Sequence, residues 1–179
     1  MTNRYLMRDR TLSQRTKSAI KFLANVKHAN QCLHYCDYQT IAETEYQVFT
    51  DSYVLFMLVD KLELPYYLGY QHGEFKYPAI ERLYWSETCG VEITGLIDLN
   101  DIIYQLKNKT IHLRDVIEFH VDQETISLKA AWVKNIVDVL GTTELQVYYR
   151  RPITPLLFID KKTGNKALSM SVYSNKERR

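Results

Sequence analysis

The sequence lacks the residues and motifs that mark several large classes of protein. Its 179 residues include only three cysteines, Cys32, Cys36 and Cys89, and so small and odd a number does not suit a disulfide framework. No apolar run approaches the ~18 residues that a membrane-spanning helix needs, and no signal-peptide pattern is present at the N-terminus. We therefore expect a protein of the reducing cytoplasm that has no membrane partner.

Signatures of catalysis are also missing. There is no phosphate-binding glycine loop, no dinucleotide-binding GxGxxG and no GxSxG nucleophile motif. Cys32, His34 and Cys36 would alternate along one face of a strand, but no second pair of ligands accompanies them. Cys89, which is followed by Gly90, has no local signature of a catalytic nucleophile. The sequence thus predicts no enzyme, no metal site and no cofactor.

Charge is small in sum but uneven along the chain. The net charge of +2 is too low to imply nucleic-acid binding by itself, so a basic function has to come from the distribution of charge. Basic residues gather in a segment over residues 1–12, in the stretch that follows it, and in a tail over residues 175–179. Terminal basic runs usually face water, and contact with phosphate is the alternative.

Tyrosine is present in excess, with fourteen tyrosines against six phenylalanines. Tyrosine favours half-buried strand positions and is common at interfaces, which indicates a protein rich in sheet. Strands are predicted at residues 33–38, 46–49, 53–59, 116–121, 124–128, 145–149, 153–159 and 168–172.

The first predicted helix covers residues 14–29, and Ser13 can cap its N-terminus. At about 100° per residue its apolar positions share one face, which makes the helix amphipathic. That inward face is formed by Leu12, Ala19, Ile20, Leu23 and Val26. The opposite face, which is polar and basic, is formed by Lys17, Lys21, Asn25 and His28.

Two shorter helices are predicted later in the chain. Asp98 or Asn100 can cap one that runs to Lys107. The other is expected to end at Gly141, because glycine is common just past a helix C-terminus. Together with the strands, these helices predict one α+β domain over residues 13–174, in which antiparallel sheets carry two main helices on one face.

Three stretches resemble, in the same order, segments of the DNA sliding clamp family. Residues 50–55, TDSYVL, are similar to the clamp turn TDGHRL, and residues 77–83, YPAIERL, are similar to the clamp segment FPDYRRV. Residues 131–173 resemble the helix, two strands and closing strand at the end of a bacterial clamp. Residues 52–54 are Ser-Tyr-Val where the family has Gly-His-Arg, and Ser171 stands where the closing strand has proline.

The resemblance implies a clamp-like fold and a non-enzymatic protein of DNA replication or repair, of a condensed, phage-encoded kind. In such a protein, cations on the helices hold duplex DNA through its phosphates without reading the bases. A DNA polymerase or another replication protein docks through a short peptide, and copies of the chain form a homo-oligomeric ring. The residues implied to contact DNA are Lys17, Lys21, Asn25, His28 and Lys134. The residues implied to wall an apolar pocket for the partner peptide are Thr50, Ser52, Tyr53, Leu55, Pro78, Arg82, Met170 and Val172.

Two other hypotheses fit the same sequence. The chain can be a monomeric or dimeric protein-interaction module, such as a phage regulator, that forms no ring and encircles no DNA. Alternatively, its sheet can bind single-stranded nucleic acid by stacking bases on exposed tyrosines. The tyrosines that suit this last hypothesis are Tyr35, Tyr38, Tyr148 and Tyr149.

Overall fold

Seven strands form one sheet in the computed structural model, which describes residues 6–27, 31–68, 76–151 and 154–172. They are β1 (Asp37–Ile41), β2 (Thr44–Thr50), β3 (Val54–Leu58), β4 (Val91–Glu92), β7 (Gln146–Tyr149), β8 (Leu156–Ile159) and β9 (Lys166–Ser169). Their order across the sheet is β1-β2-β3-β9-β8-β7-β4, and each neighbouring pair is antiparallel. Two further strands, β5 (Val116–Val121) and β6 (Glu124–Lys129), pair with each other in a separate hairpin.

Three helices cover one face of the large sheet. They are α1 (Leu12–Ala24), α2 (Leu99–Lys107) and α3 (Ala130–Leu140). Helix α1 packs along α3, and all three helices share a hydrophobic core with Phe56 and Phe158 of the central strands. The predicted α+β class and the antiparallel sheet are therefore confirmed, while the likeness to a clamp stays a prediction.

The other face of the sheet is covered as well. Strand β3 is buried along its whole length, because its alternate residues enter two different clusters. Phe56 belongs to the cluster under the helices, whereas Leu55 and Met57 pack with Ile80 and Trp85 from the segment between β3 and β4. A central strand with both faces covered appears in the sequence as a continuous apolar run, which is the pattern that predicted it.

Helix α1 differs from its predicted form at both ends and in its inward face. It begins at Leu12 because Thr11, and not Ser13, caps it: the side chains of Thr11 and Gln14 each accept the other's backbone N–H in a capping box. It ends at Ala24 rather than at residue 29. Leu12 and Ile20, both predicted to point inward, are 57% and 45% exposed. The buried stripe is formed by Arg15, Ala19, Phe22 and Leu23.

The predicted signals at the ends of α2 and α3 are confirmed. Asp98 caps α2 by accepting a backbone N–H at 3.0 Å, and α3 ends at Gly141, which adopts a left-handed φ of +86°. The strand predicted over residues 33–38 was wrong in part, because residues 31–34 form a 3-10 turn before β1 begins. The closing strands, β8 and β9, are shorter than predicted.

The residues that precede α1 are joined to the rest of the domain. The backbone N–H of Met7 donates to Asn100 Oδ1 at 3.2 Å, and that of Arg10 donates to the carbonyl of Gly141 at 2.7 Å. Residues 6–11 of the predicted basic segment are therefore hydrogen-bonded to α2 and to the end of α3. Residues 1–5 and 173–179, which include the predicted basic tail, lie outside the described residues.

Arg15 is the charged residue within the buried stripe of α1. Its guanidinium forms a bidentate pair with Asp60, at 2.5 and 3.1 Å, and donates to the carbonyl of Val139 at 2.7 Å. Asn165, in the turn between β8 and β9, donates to the same carboxylate at 2.9 Å. Burial by itself would raise the pKa of Asp60, but the hydrogen bonds and charge of Arg15 outweigh it and lower that pKa. One network therefore joins α1, α3 and the turns that follow β3 and β8.

We expect Arg15→Met to lower the free energy of unfolding by about 2 kcal/mol, because it takes the cation away from the Asp60 carboxylate, which is 30% exposed and therefore partly solvated by water. Denaturant unfolding followed by circular dichroism measures this loss. Lys17→Met makes the same change of charge on the exposed side of α1 and is expected to stay within about 0.5 kcal/mol of the unchanged protein. Equal losses in the two variants would contradict a structural role for the network.

Candidate nucleic-acid interface

A groove of about 570 Å³ opens between α1 and α3, which lie side by side. Lys21 and Asn25 reach this α1–α3 groove from one wall, and Lys134 reaches it from the other. All three were predicted to contact DNA, and the structure brings them together. Lys17 is exposed one turn before Lys21 but does not line the groove, and His28 lies outside the described residues. The charged and amide side chains of the lining are Lys21, Asn25, Lys27, Asp51, Arg114, Lys129, Lys134, Asn135 and Asp138.

Three further cations in this groove, Lys27, Arg114 and Lys129, were missed by sequence reasoning. Lys129 is the N-cap residue of α3, so the predicted position of that helix could have indicated it. Arg114 has no such signal, because its position depends on how the turn before β5 meets α3. The backbone N–H of Ala131 donates to the carbonyl of Leu113 at 3.0 Å, and this bond holds Arg114 beside the start of α3.

The α1–α3 groove carries an excess of positive charge that its two carboxylates do not cancel. Five cations line it, against Asp51 and Asp138. Asp138 is 8% exposed and forms ion pairs with Arg10, at 2.6 Å, and with Lys134. Asp51 accepts the backbone N–H groups of Tyr53 and Val54 at 2.9 and 2.8 Å. The two carboxylates therefore offset two of the five positive charges, and the groove keeps an excess of three.

An aromatic stack stands at the edge of the groove. The ring of Tyr53 lies on the indole of Trp132, with ring centroids 5.4 Å apart and planes inclined by 15°. Lys129 Nζ lies 5.3 Å from the centre of the same indole. Tyr53 was predicted to belong to the partner pocket, and the structure places it against a residue that lines the candidate DNA groove.

A second groove, of about 790 Å³, lies on the other side of Lys134 and Asp138. Its walls are the segment before α1, the end of α2 and the turn that follows α2, and we call it the α2 groove. The lining comprises Met7, Arg8, Asp9, Arg10, Gln14, Ile103, Leu106, Lys107, Lys109, Ile111, His112, Leu113, Lys134 and Asp138. Both grooves thus open on the side of the sheet that carries the helices.

The residues predicted to wall the partner pocket lie in two different surroundings. Leu55 is opposite Thr50 in the β2–β3 pair and packs with Ile80, whose neighbours in the chain include Pro78 and Arg82. That group therefore lies on the sheet face away from the helices. The other residues predicted for the partner pocket lie in turns or closer to α3. Tyr53 and Ser52 are in the β2–β3 turn, Met170 donates its backbone N–H to the carbonyl of Tyr53, and Val172 donates to the carbonyl of Ser127 in β6.

The tyrosines proposed to stack single-stranded bases are not brought together by the sheet. Tyr38 lies on β1 and Tyr148 on β7, and four other strands separate these two. Tyr149 was expected to be exposed and is buried, because it points into the core under the helices. Tyr38 instead packs on Tyr66, with centroids 5.3 Å apart. A continuous row of stacking platforms is therefore not formed by these four residues.

The proposed alternation of Cys32, His34 and Cys36 along a strand was wrong. Cys32 and His34 belong to the 3-10 turn, and His34 Nδ1 lies 3.1 Å from the carbonyl of Leu23. Cys36 is buried, and this burial raises the pKa of its thiol to about 11. Within the described part of the chain, no three His, Cys, Asp or Glu side chains are grouped so that they could hold a metal ion.

We expect Tyr53→Ala to lower the free energy of unfolding by about 1 kcal/mol and to make Trp132 more accessible, because the stacked ring shields the indole. Denaturant unfolding and acrylamide quenching of tryptophan fluorescence measure these two effects. Tyr53→Phe keeps the ring and is the matched control, which we expect to show neither change. Quenching that is unaltered in Tyr53→Ala would mean that the stack does not shield the indole in solution.

Comparisons with known proteins do not assign the chain to a family. No family model matches it, and no match to a curated protein is found. In the part of the chain that the structure describes, none of the helices has the length and apolarity needed to cross a membrane.

Proposed function

We propose that the chain is a non-enzymatic DNA-binding protein of the sliding-clamp type, which contacts duplex DNA through the phosphates on its helical face and acts in DNA replication or repair. The observation that supports this most directly is the α1–α3 groove, where five cations surround one cleft: Lys21 of α1, Lys134 of α3, and three from the segments beside these helices. Duplex DNA is a dense column of negative charge, and lysine contacts its phosphates as a flexible point charge without reading sequence.

The distribution of charge over the molecule supports the same proposal. Arginines and lysines outnumber the acids by five to two in the lining of each groove, although the whole chain has a net charge of only +2. The remaining surface therefore has little or no excess of positive charge. The cations of the two grooves are Arg8, Arg10, Lys21, Lys27, Lys107, Lys109, Arg114, Lys129 and Lys134, and the acids are Asp9, Asp51 and Asp138.

The architecture is compatible with the clamp resemblance seen in the sequence. In a clamp, helices face the DNA and strands form the outer layer, and here the basic helices lie on one face of an antiparallel sheet. The proposed docking surface for a polymerase or another replication protein is the opposite face, near Leu55, Pro78 and Arg82. Met170 is 38% exposed at the end of β9 and would contribute an apolar wall for a peptide side chain.

We expect the double variant Lys21→Ala/Lys129→Ala to weaken duplex binding and to reduce the slope of log K against log salt by about 1.8, since each lost phosphate contact contributes about 0.9. Fluorescence anisotropy over a series of salt concentrations, with two duplexes of unrelated sequence, measures the slope. Both duplexes should give the same value.

The matched control removes two lysines from the other side of the sheet. Lys76→Ala/Lys161→Ala changes the net charge equally, and both residues are exposed. Lys161 pairs with Glu87, 3.2 Å away, beside the cluster that covers the second face. The control is expected to keep the salt slope of the unchanged protein. Equal reductions in the two double variants, or binding to single strands in preference to duplexes, would refute the proposed interface.

Encircling DNA would require more than one copy, because the rings of the sliding clamp family hold six domains and residues 13–174 are predicted to form one. We expect a closed oligomer whose mass is constant on dilution, measured by light scattering behind a sizing column. We also expect the oligomer to be retained on a nicked circular DNA and lost when that DNA is cut open. A monomer at all concentrations would remove the ring and favour a protein-interaction module instead.

A further inference from the structure

We propose that the α2 groove is a docking site for a short acidic peptide with aliphatic anchor residues. This inference concerns a surface distinct from the predicted partner pocket, because none of the eight residues of that pocket lines the α2 groove. It does not require duplex binding by the α1–α3 groove, although Leu113, Lys134 and Asp138 line both grooves. At about 790 Å³, the α2 groove lies within the size range of ligand-binding pockets.

The floor of the α2 groove is aliphatic. Ile103 and Leu106 of α2, with Ile111 from the turn after it, are partly buried against the main core and leave part of their surface in the groove. Met7 adds a flexible apolar wall on one side, and Leu113, which is 50% exposed, forms the other side. Covering apolar surface of this kind with a leucine-like side chain is favourable, because it removes apolar area from water.

The rim of the groove is cationic. Arg8, Lys107 and Lys109 are exposed around it, and Lys134 extends into it with 41% of its side chain exposed. Asp9 and Asp138 offset two of the five positive charges that line the groove, and Asp138 does so by pairing with Arg10 and Lys134, so an excess of three positive charges is left. An occupant complementary to this rim carries carboxylates beside its apolar anchors.

The walls are held in place before any ligand arrives. Two hydrogen bonds fix the segment before α1: the backbone N–H of Met7 donates to Asn100, and the backbone N–H of Arg10 donates to Gly141. The turn of residues 112–115 is closed by the N–H of His112, which donates to Asp115 Oδ2 at 2.8 Å. A groove whose walls are already ordered loses little conformational entropy on binding, which favours a short ligand.

A peptide fits this chemistry better than a nucleic acid does. The floor has no tyrosine, tryptophan or phenylalanine on which a base could stack, and duplex DNA presents no aliphatic group to fill it. An acidic peptide satisfies both the floor and the rim. Because Lys134 lines both grooves, a peptide bound there also competes with phosphate for one cation of the α1–α3 groove.

The probe is a fluorescein-labelled peptide in which leucine and glutamate alternate, titrated with the whole protein in the absence of DNA and followed by anisotropy. We expect saturable binding, a loss of at least tenfold when lysine replaces glutamate in the probe, and a similar loss when serine replaces leucine. On the protein, Leu113→Ser and Lys109→Glu are each expected to weaken binding about tenfold. Circular dichroism establishes that each variant is folded.

The matched controls make the same changes on the other side of the sheet. Leu83→Ser replaces a leucine that is 54% exposed, and Lys76→Glu reverses an exposed charge, so both are expected to bind the probe as the unchanged protein does. Equal effects of Leu113→Ser and Leu83→Ser would overturn the proposal. Binding of an oligothymidylate that is tighter than peptide binding and depends on Leu113 would also overturn it, and would assign the groove to single strands. A change in native mass caused by Leu113→Ser would overturn it as well, and would assign the groove to a second copy of the chain. Because DNA is absent, a failure of duplex binding would not alter these outcomes.

Discussion

The ion pair between the buried Arg15 and the partly exposed Asp60 is the interaction on which the arrangement of the helical face depends. The same guanidinium binds the carbonyl of Val139 and lies so close to Gly141 that a Cβ there would be 2.6 Å from its Cδ. Arg15 therefore sets the separation between α1 and the end of α3, and with it the width of the groove between them. The two walls of that groove carry like charges, which repel, so a contact on the protected side is needed to hold them together.

The elements that could be predicted from the sequence are those whose signals act over a few residues. The cap at Asp98, the left-handed Gly141 and the neighbouring strands β5 and β6 all belong to this kind. The inward face of α1 could be predicted only in part: Ala19 and Leu23 are buried as expected, but periodicity assigns a charged residue such as Arg15 to solvent. Burial of Arg15 becomes favourable only because its guanidinium pairs with Asp60. This residue is 45 positions away in the chain and is brought beside Arg15 only by folding.

The candidate site shows the same division between local and distant causes. Lys21, Asn25 and Lys134 were found because helical spacing places them on exposed faces. Arg114 was not found, since its place beside α3 depends on backbone bonds between two segments that are apart in the sequence. The clamp resemblance orders the partner-pocket residues along the chain, but it does not determine that the ring of Tyr53 turns toward α3.

Asp138 gives the helical face a property that follows from its two ion pairs. Arg10 and Lys134 both bind this one carboxylate, on the ridge that separates the two grooves. A ligand anion that binds Lys134 has to displace the carboxylate of Asp138. The free energy gained is therefore only the difference between the ligand's contact with Lys134 and the contact that Asp138 loses. The carboxylate of Asp138 thus competes with any polyanion for Lys134. A ligand that gains so little net free energy at this residue dissociates from it about as readily as it associates.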